Sequence, residues 1–133
     1  MLRLHLHTIM DLYKDLIIDH YQNPRNFGDL PNPTAKKRLE NALCGDMVEI
    51  SLLIEDKNIK DVKFKGIGCA ICIATSSMLT EKIKGMKLSD VEKLNKDDIL
   101  KMLGIELMPN RMKCALLPLE VLHALGKELN GKI

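Results

Sequence analysis

Cys44, Cys69 and Cys114 each stand among residues suited to a soft-metal site. The segments are ALCGD (Ala42 to Asp46), GIGCAIC (Gly66 to Cys72) and NRMKC (Asn110 to Cys114). Thiolates bind soft metals, and glycine lets a backbone approach a metal group closely. Asp46 adds a harder oxygen two residues beyond Cys44. Three thiolates and one carboxylate make a tetrahedral donor set in which the carboxylate is the weaker, more exchangeable partner. The cysteines are 25 and 45 residues apart, so only folding can bring them together. Buried cysteine also serves as a plain small hydrophobe. Spacing alone leaves both readings open.

Cys69 and Cys72 also form a C-x-x-C pair. A redox dithiol of thioredoxin type calls for a βαβ setting, and the chain has no Trp. A closed four-cysteine zinc site usually pairs two such knuckles, and only one is present. Cys72 is therefore expected in the core or beside the site, not as a ligand. His20 and His123 fall within helical patterns and are expected to be packed and hydrogen-bonded. His5 and His7 lie in the first residues. No Ser–His–Asp set and no paired carboxylates stand out.

These residues need elements to hold them. Leu12, Tyr13, Leu16, Ile17 and His20 recur at helical spacing, and Thr8 with Asp11 has capping-box spacing, so a helix is expected over 9–22. NPRNFGDLPNPT breaks it into a loop. Val48, Ile50, Leu52 and Ile54 alternate with Glu49, Ser51 and Leu53 as a half-buried strand. EDKN is a turn, and Val62 and Phe64 mark a second strand ending at Gly66. Residues 34–41 are a candidate third strand. After Cys69 the spacing turns helical to Gly85. Ser89 with Glu92 and Asn95 with Asp98 open two short helices, the second ending near Gly104. A last helix is expected from Cys114, with Pro118 near its first turn. The order is helix, antiparallel hairpin, then helices: an α+β chain.

The chain has 133 residues, enough for one domain with a real core. Residues 1–9 are expected to be a flexible extension before Met10, and 10–133 a single domain. With 20 basic against 18 acidic residues, the net charge of +2 gives no reason to expect nucleic acid or an acidic membrane as partner. No apolar run approaches the roughly 20 residues that span a bilayer, and the start lacks the features of a signal peptide. A cytoplasmic protein is expected, where four cysteines point to metal or reactivity before disulfides.

DLYKDLIIDHYQNPRNFG (Asp11 to Gly28), LCGD, KFKGIGCAICIATSSMLTEKIKG (Lys63 to Gly85) and RMKCALL (Arg111 to Leu117) resemble the U-type iron–sulfur cluster scaffold proteins: IscU, SufU and the N-terminal domain of NifU. The similarity runs from about Tyr13 to the last helix and meets all three cysteine loci in order. It implies an α+β fold, a small antiparallel sheet with helices on one face. It implies that Cys44, Cys69 and Cys114 are the metal and sulfur residues, with Cys44 and Cys114 as candidate persulfide acceptors. It makes Asp46 the residue that keeps a transient [2Fe–2S] cluster labile, or that ligates zinc in the SufU branch. It implies a cysteine desulfurase as sulfur donor and apo-iron–sulfur proteins as recipients, and so a scaffold in preference to a turnover enzyme. The alternative is a zinc-bound, SufU-like sulfurtransferase. Lys113 stands where IscU proteins carry His before the third cysteine. Protonated Lys cannot ligate, and it is expected instead to offset negative charge and lower the pKa of Cys114. The chaperone-binding motif of IscU is not matched by LMPNRMK (Leu107 to Lys113), so chaperone hand-off is not carried over. The long SufU insertion between the second and third cysteines has no room here. Cys72 falls where relatives have a small residue.

Overall fold

The computed structural model describes residues 2–42 and 45–130, and the side chains from residue 11 onward within that span. Cys44 therefore lies outside the described residues. The first helix, α1, covers Leu2–Gln22. It is longer than the 9–22 read from apolar spacing. Because the backbone is already helical at Thr8, the Thr8/Asp11 pair does not start it.

Three strands follow: β1 (Ala35–Asn41), β2 (Asp46–Glu55) and β3 (Asn58–Ile67). They pair antiparallel in the order β1-β2-β3, with Asn41 opposite Asp46 and Met47 opposite Ile67. The β2–β3 hairpin closes through Asp56 and Lys57, both at positive φ (51° and 66°). That is the twist a two-residue turn needs to match right-handed strands. Alternation decides the faces. Val48, Ile50, Leu52, Val62 and Phe64 are wholly buried on one face. Lys36, Arg38 and Lys65 stand on the other, where Asp29 pairs with both Lys36 and Lys65.

The buried face is covered by α2 (Ala70–Ile83) and α5 (Pro109–Asn130), and α1 packs against α2. The loop after α1 also tapes down the free edge of β3. Phe64 N–H donates to Asn26 O, and Gly28 N–H donates to Phe64 O. The fold is α+β, with helices on one side of a small antiparallel sheet, as the spacing and the resemblance both imply.

From Cys72 to Thr80 helix α2 is wholly buried. Its hydroxyls there look inward for partners, and all but Thr75 Oγ1 have one. Ser76 Oγ donates to Cys72 O at 2.8 Å, and Thr80 Oγ1 donates to Ser77 O at 2.9 Å. Ser77 Oγ accepts the Arg25 N–H at 2.8 Å and lies 2.7 Å from His20 Nδ1. His20 Nε2 also lies 3.6 Å from Glu81. His20 is a packed residue, and burial lowers its pKa. His123 Nε2 bonds Leu94 O at 2.8 Å. Both histidines are structural, as expected.

Two short helices, α3 (Leu88–Glu92) and α4 (Lys96–Leu103), link α2 to α5. The N-cap of α3 is Lys87, two residues before the expected Ser89. The Asn95/Asp98 capping box of α4 forms as read from sequence. Gly104 closes α4 at φ 68°, and a Cβ there would meet the Tyr13 ring of α1. Gly104→Ala combines left-handed strain with overpacking and should cost about 2–4 kcal/mol. Denaturant unfolding checks it, and a loss well under about 1 kcal/mol would mean that α1 shifts freely at Tyr13.

Candidate metal centre

Among the described residues, each ligand candidate is held at the end of an element or on a buried helix face. Asp46 opens β2 and is 2% exposed. Cys69 is the N-cap of α2, in extended conformation directly after Gly68. Cys114 is 1% exposed on α5. The sequence placed Cys114 at the start of the last helix. The helix in fact begins five residues earlier, at Pro109, because proline suits a first helical position. Pro118 is thus inside α5. The amide bond it cannot donate would have gone to the carbonyl of Cys114.

One ligand atom from each of Asp46, Cys69 and Cys114 lies within 4.8 Å of the others. Asp46 Oδ1 accepts the Cys69 N–H at 3.3 Å. Its Oδ2 is buried and takes no hydrogen bond of ordinary geometry. The neighbouring Cys114 thiol turns towards Asn110 O, 3.8 Å away. A buried carboxylate oxygen without a partner is costly, and a bound cation is the natural remedy at a site that also presents two thiols. Gly68 makes room for this carboxylate. Its φ is 159°, and a Cβ would strike Asp46 Oδ1.

Burial pushes the Cys114 thiol far above its ordinary pKa, and the nearness of Asp46 and Cys69 adds to it. The sequence expectation was the reverse, a Cys114 pKa lowered by Lys113. It fails because Cys114 sits in the second turn, away from the helix N-terminus, on a face turned into the protein. Lys113 is exposed and lines a surface hollow with Glu40, Asn41, Ala42, Leu117 and Glu120. A cation beside the thiols is Arg111, whose pKa is raised chiefly by Cys69 and also by Cys114. Residues 111 and 114 share a helix face at i, i+3, whereas 113 and 114 diverge. Arg111→Gln should therefore lower retention of an anionic metal–sulfur group several-fold, while Lys113→Gln leaves it unchanged. Metal retained after gel filtration measures both. Equal losses would return Lys113 to the site.

Cys72 is wholly buried, and burial pushes its thiol up to about 12, with Asp46 and Cys69 contributing. It belongs to the core beside the site, where the sequence reading put it.

The sequence profile described as NifU-like N terminal domain matches residues 12–132. The chain belongs to this family. Among similar members of the U-type group, two iron–sulfur cluster assembly scaffold proteins IscU of Archaeoglobus fulgidus are each 38% identical over 125 residues, covering 92% of this chain and 81% of theirs. The zinc-dependent sulfurtransferase SufU of Bacillus subtilis is 33% identical over 138 positions, covering 90% of this chain and 93% of its own. That alignment is longer than this chain, so it contains positions with no residue here. The N-terminal part of a nitrogen-fixing NifU-like protein from Brucella abortus superposes with a TM-score of 0.74 at 22% identity. The match covers 94% of this chain and 99% of that one, and it shows the family fold. No helix among the described residues is long and apolar enough to cross a membrane.

Proposed function

We propose that this family member is an iron–sulfur cluster assembly scaffold of the cytoplasm. It accepts sulfur from a cysteine desulfurase, builds a [2Fe–2S] cluster on Cys44, Asp46, Cys69 and Cys114, and passes it to apo-proteins. The cluster is cargo, so the site must hold it firmly enough to assemble it and loosely enough to release it. The observation that carries this reading is the unpartnered Oδ2 of Asp46 buried beside two thiols. Thiolates fix iron tightly, and a lone carboxylate is the donor a recipient's thiolate displaces most easily. Arg111 offsets the negative charge that gathers when thiolates, carboxylate and sulfide meet. Cys44 is separated from Asp46 in the sequence by a single residue, and it is the thiolate this reading adds to the set.

A second reading is zinc-dependent sulfur transfer, favoured by Arg111 against the thiols and by the likeness to the Bacillus subtilis sulfurtransferase. Transfer separates the two. Under anaerobic conditions, protein loaded with iron and sulfide is mixed with apo-ferredoxin, and holo-ferredoxin is followed by its visible spectrum. The scaffold should convert the apo-ferredoxin faster than equal amounts of free iron and sulfide do. No acceleration, together with retained zinc and a stimulated cysteine desulfurase, would decide for sulfur transfer.

A further inference from the structure

The C-x-x-C pair is left over from the metal site. Only its first member is among the clustered ligand atoms. The expectation against a redox dithiol rested on sequence context, and the structure supplies a different context. Strand β3 runs through Gly68 straight into α2, with Cys69 at the N-cap and Cys72 in the first turn. Residues i and i+3 at a helix start are side-chain neighbours, and C-x-x-C at a helix N-terminus is the arrangement that redox dithiols use. Cys69 is half-buried, while Cys72 is wholly buried. Both are free thiols. Asp46 acts on both, and its buried Oδ2 has no partner.

We propose that Cys69 and Cys72 form a dithiol that releases sulfide from a persulfide carried on Cys69. This rests on the sulfur acceptance put forward above. The outer sulfur reaches Cys69 from the donor directly, or from a persulfide on Cys114, whose Sγ belongs to the same 4.8 Å cluster. Cys72 Sγ then attacks Cys69 Sγ. The Cys69–Cys72 disulfide forms and the bond from Cys69 Sγ to the outer sulfur breaks, with the electron pair leaving on that sulfur. The proton of Cys72 ends on the departing hydrosulfide. In sum, a persulfide and a thiol become a disulfide and hydrogen sulfide. The outer sulfur is reduced, and the two cysteines together supply its two electrons. A dithiol reductant then reopens the disulfide. The step produces sulfide where iron is to be bound, and it withholds Cys69 as a ligand until the reductant has acted.

Two measurements on the metal-free chain test this. In the first, the chain is equilibrated with oxidised dithiothreitol, blocked and mapped by peptide mass. A Cys69–Cys72 disulfide is expected, and its absence overturns the dithiol whatever the scaffold does. In the second, glutathione persulfide is added without other reductant, to wild type and to Cys72→Ala. Wild type should release about one sulfide per chain more than the variant and end lighter by two hydrogen atoms. Cys72→Ala should keep the extra sulfur atom. Equal sulfide from both overturns the proposal while leaving sulfur acceptance intact. If neither chain takes up sulfur although the first disulfide forms, the sulfur-accepting part of the function falls and the release step with it. Cys72→Ala is shown to be folded by its retention of metal.

Discussion

Cys69→Ser and Cys114→Ser are each expected to strip the bound metal, with affinity falling by roughly a hundredfold or more. Loss of a mere outer-sphere partner already costs 10–100-fold, and a hydroxyl is a poor donor to a soft metal. The two thiols sit on different elements, α2 and α5, that converge on Asp46. Losing either leaves a buried carboxylate facing an incomplete set. Cys44→Ser is expected to behave alike. Cys72→Ala is the control. Cys72 is as buried as Cys114 but is not among the clustered ligand atoms. Its loss should cost stability of about 1 kcal/mol and leave metal in place. Metal content after gel filtration under anaerobic conditions reads all four. If Cys72→Ala empties the site as fully as Cys69→Ser, a four-thiolate centre replaces the carboxylate-containing one.

Asp46→Ala should act on a different quantity, the rate of cluster release. Removing the carboxylate leaves no easily displaced donor, so transfer to apo-ferredoxin should slow on the order of tenfold, which is about 1.4 kcal/mol of barrier. Stability should change little. The variant loses the acceptor of the Cys69 N–H, but it also loses the burial of Oδ2 without a partner, and these contributions oppose each other. A melting temperature near wild type with slow transfer would therefore separate function from folding. An unchanged transfer rate, with the cluster equally stable in air, would remove Asp46 from the release step.

The candidate ligands were legible in the sequence because residue type and local glycine content carry them. Cys69 at a helix start follows from the helical spacing that begins after it, and Asp46 from its place two residues beyond Cys44. The fold was legible for the same reason, since alternation and capping signals are local. What escaped was phase. Apolar spacing gave no sign that α5 begins at Pro109, because Asn110, Arg111 and Lys113 are polar. The available signal was the proline itself, which favours a first helical position. With the start misplaced, the residue adjacent in sequence, Lys113, was taken as the partner of Cys114 in place of Arg111 one turn back. The sign of the Cys114 shift was missed for a related reason. Burial by the sheet and α2 is a tertiary fact that local sequence does not report. The length of α1 escaped because Leu2, Leu4 and Leu6 recur at every second position, which is not helical spacing.

The site's assignment as a labile cluster site is tested most directly by anaerobic reconstitution of the wild-type chain with iron, sulfide and reductant. The readouts are visible absorption, with iron and acid-labile sulfide counted per chain. The expected result is a coloured, air-sensitive species with equal iron and sulfide, close to two of each, whose colour is lost in Cys69→Ser and Cys114→Ser. A colourless protein that keeps zinc through the procedure and takes up no sulfide would contradict it.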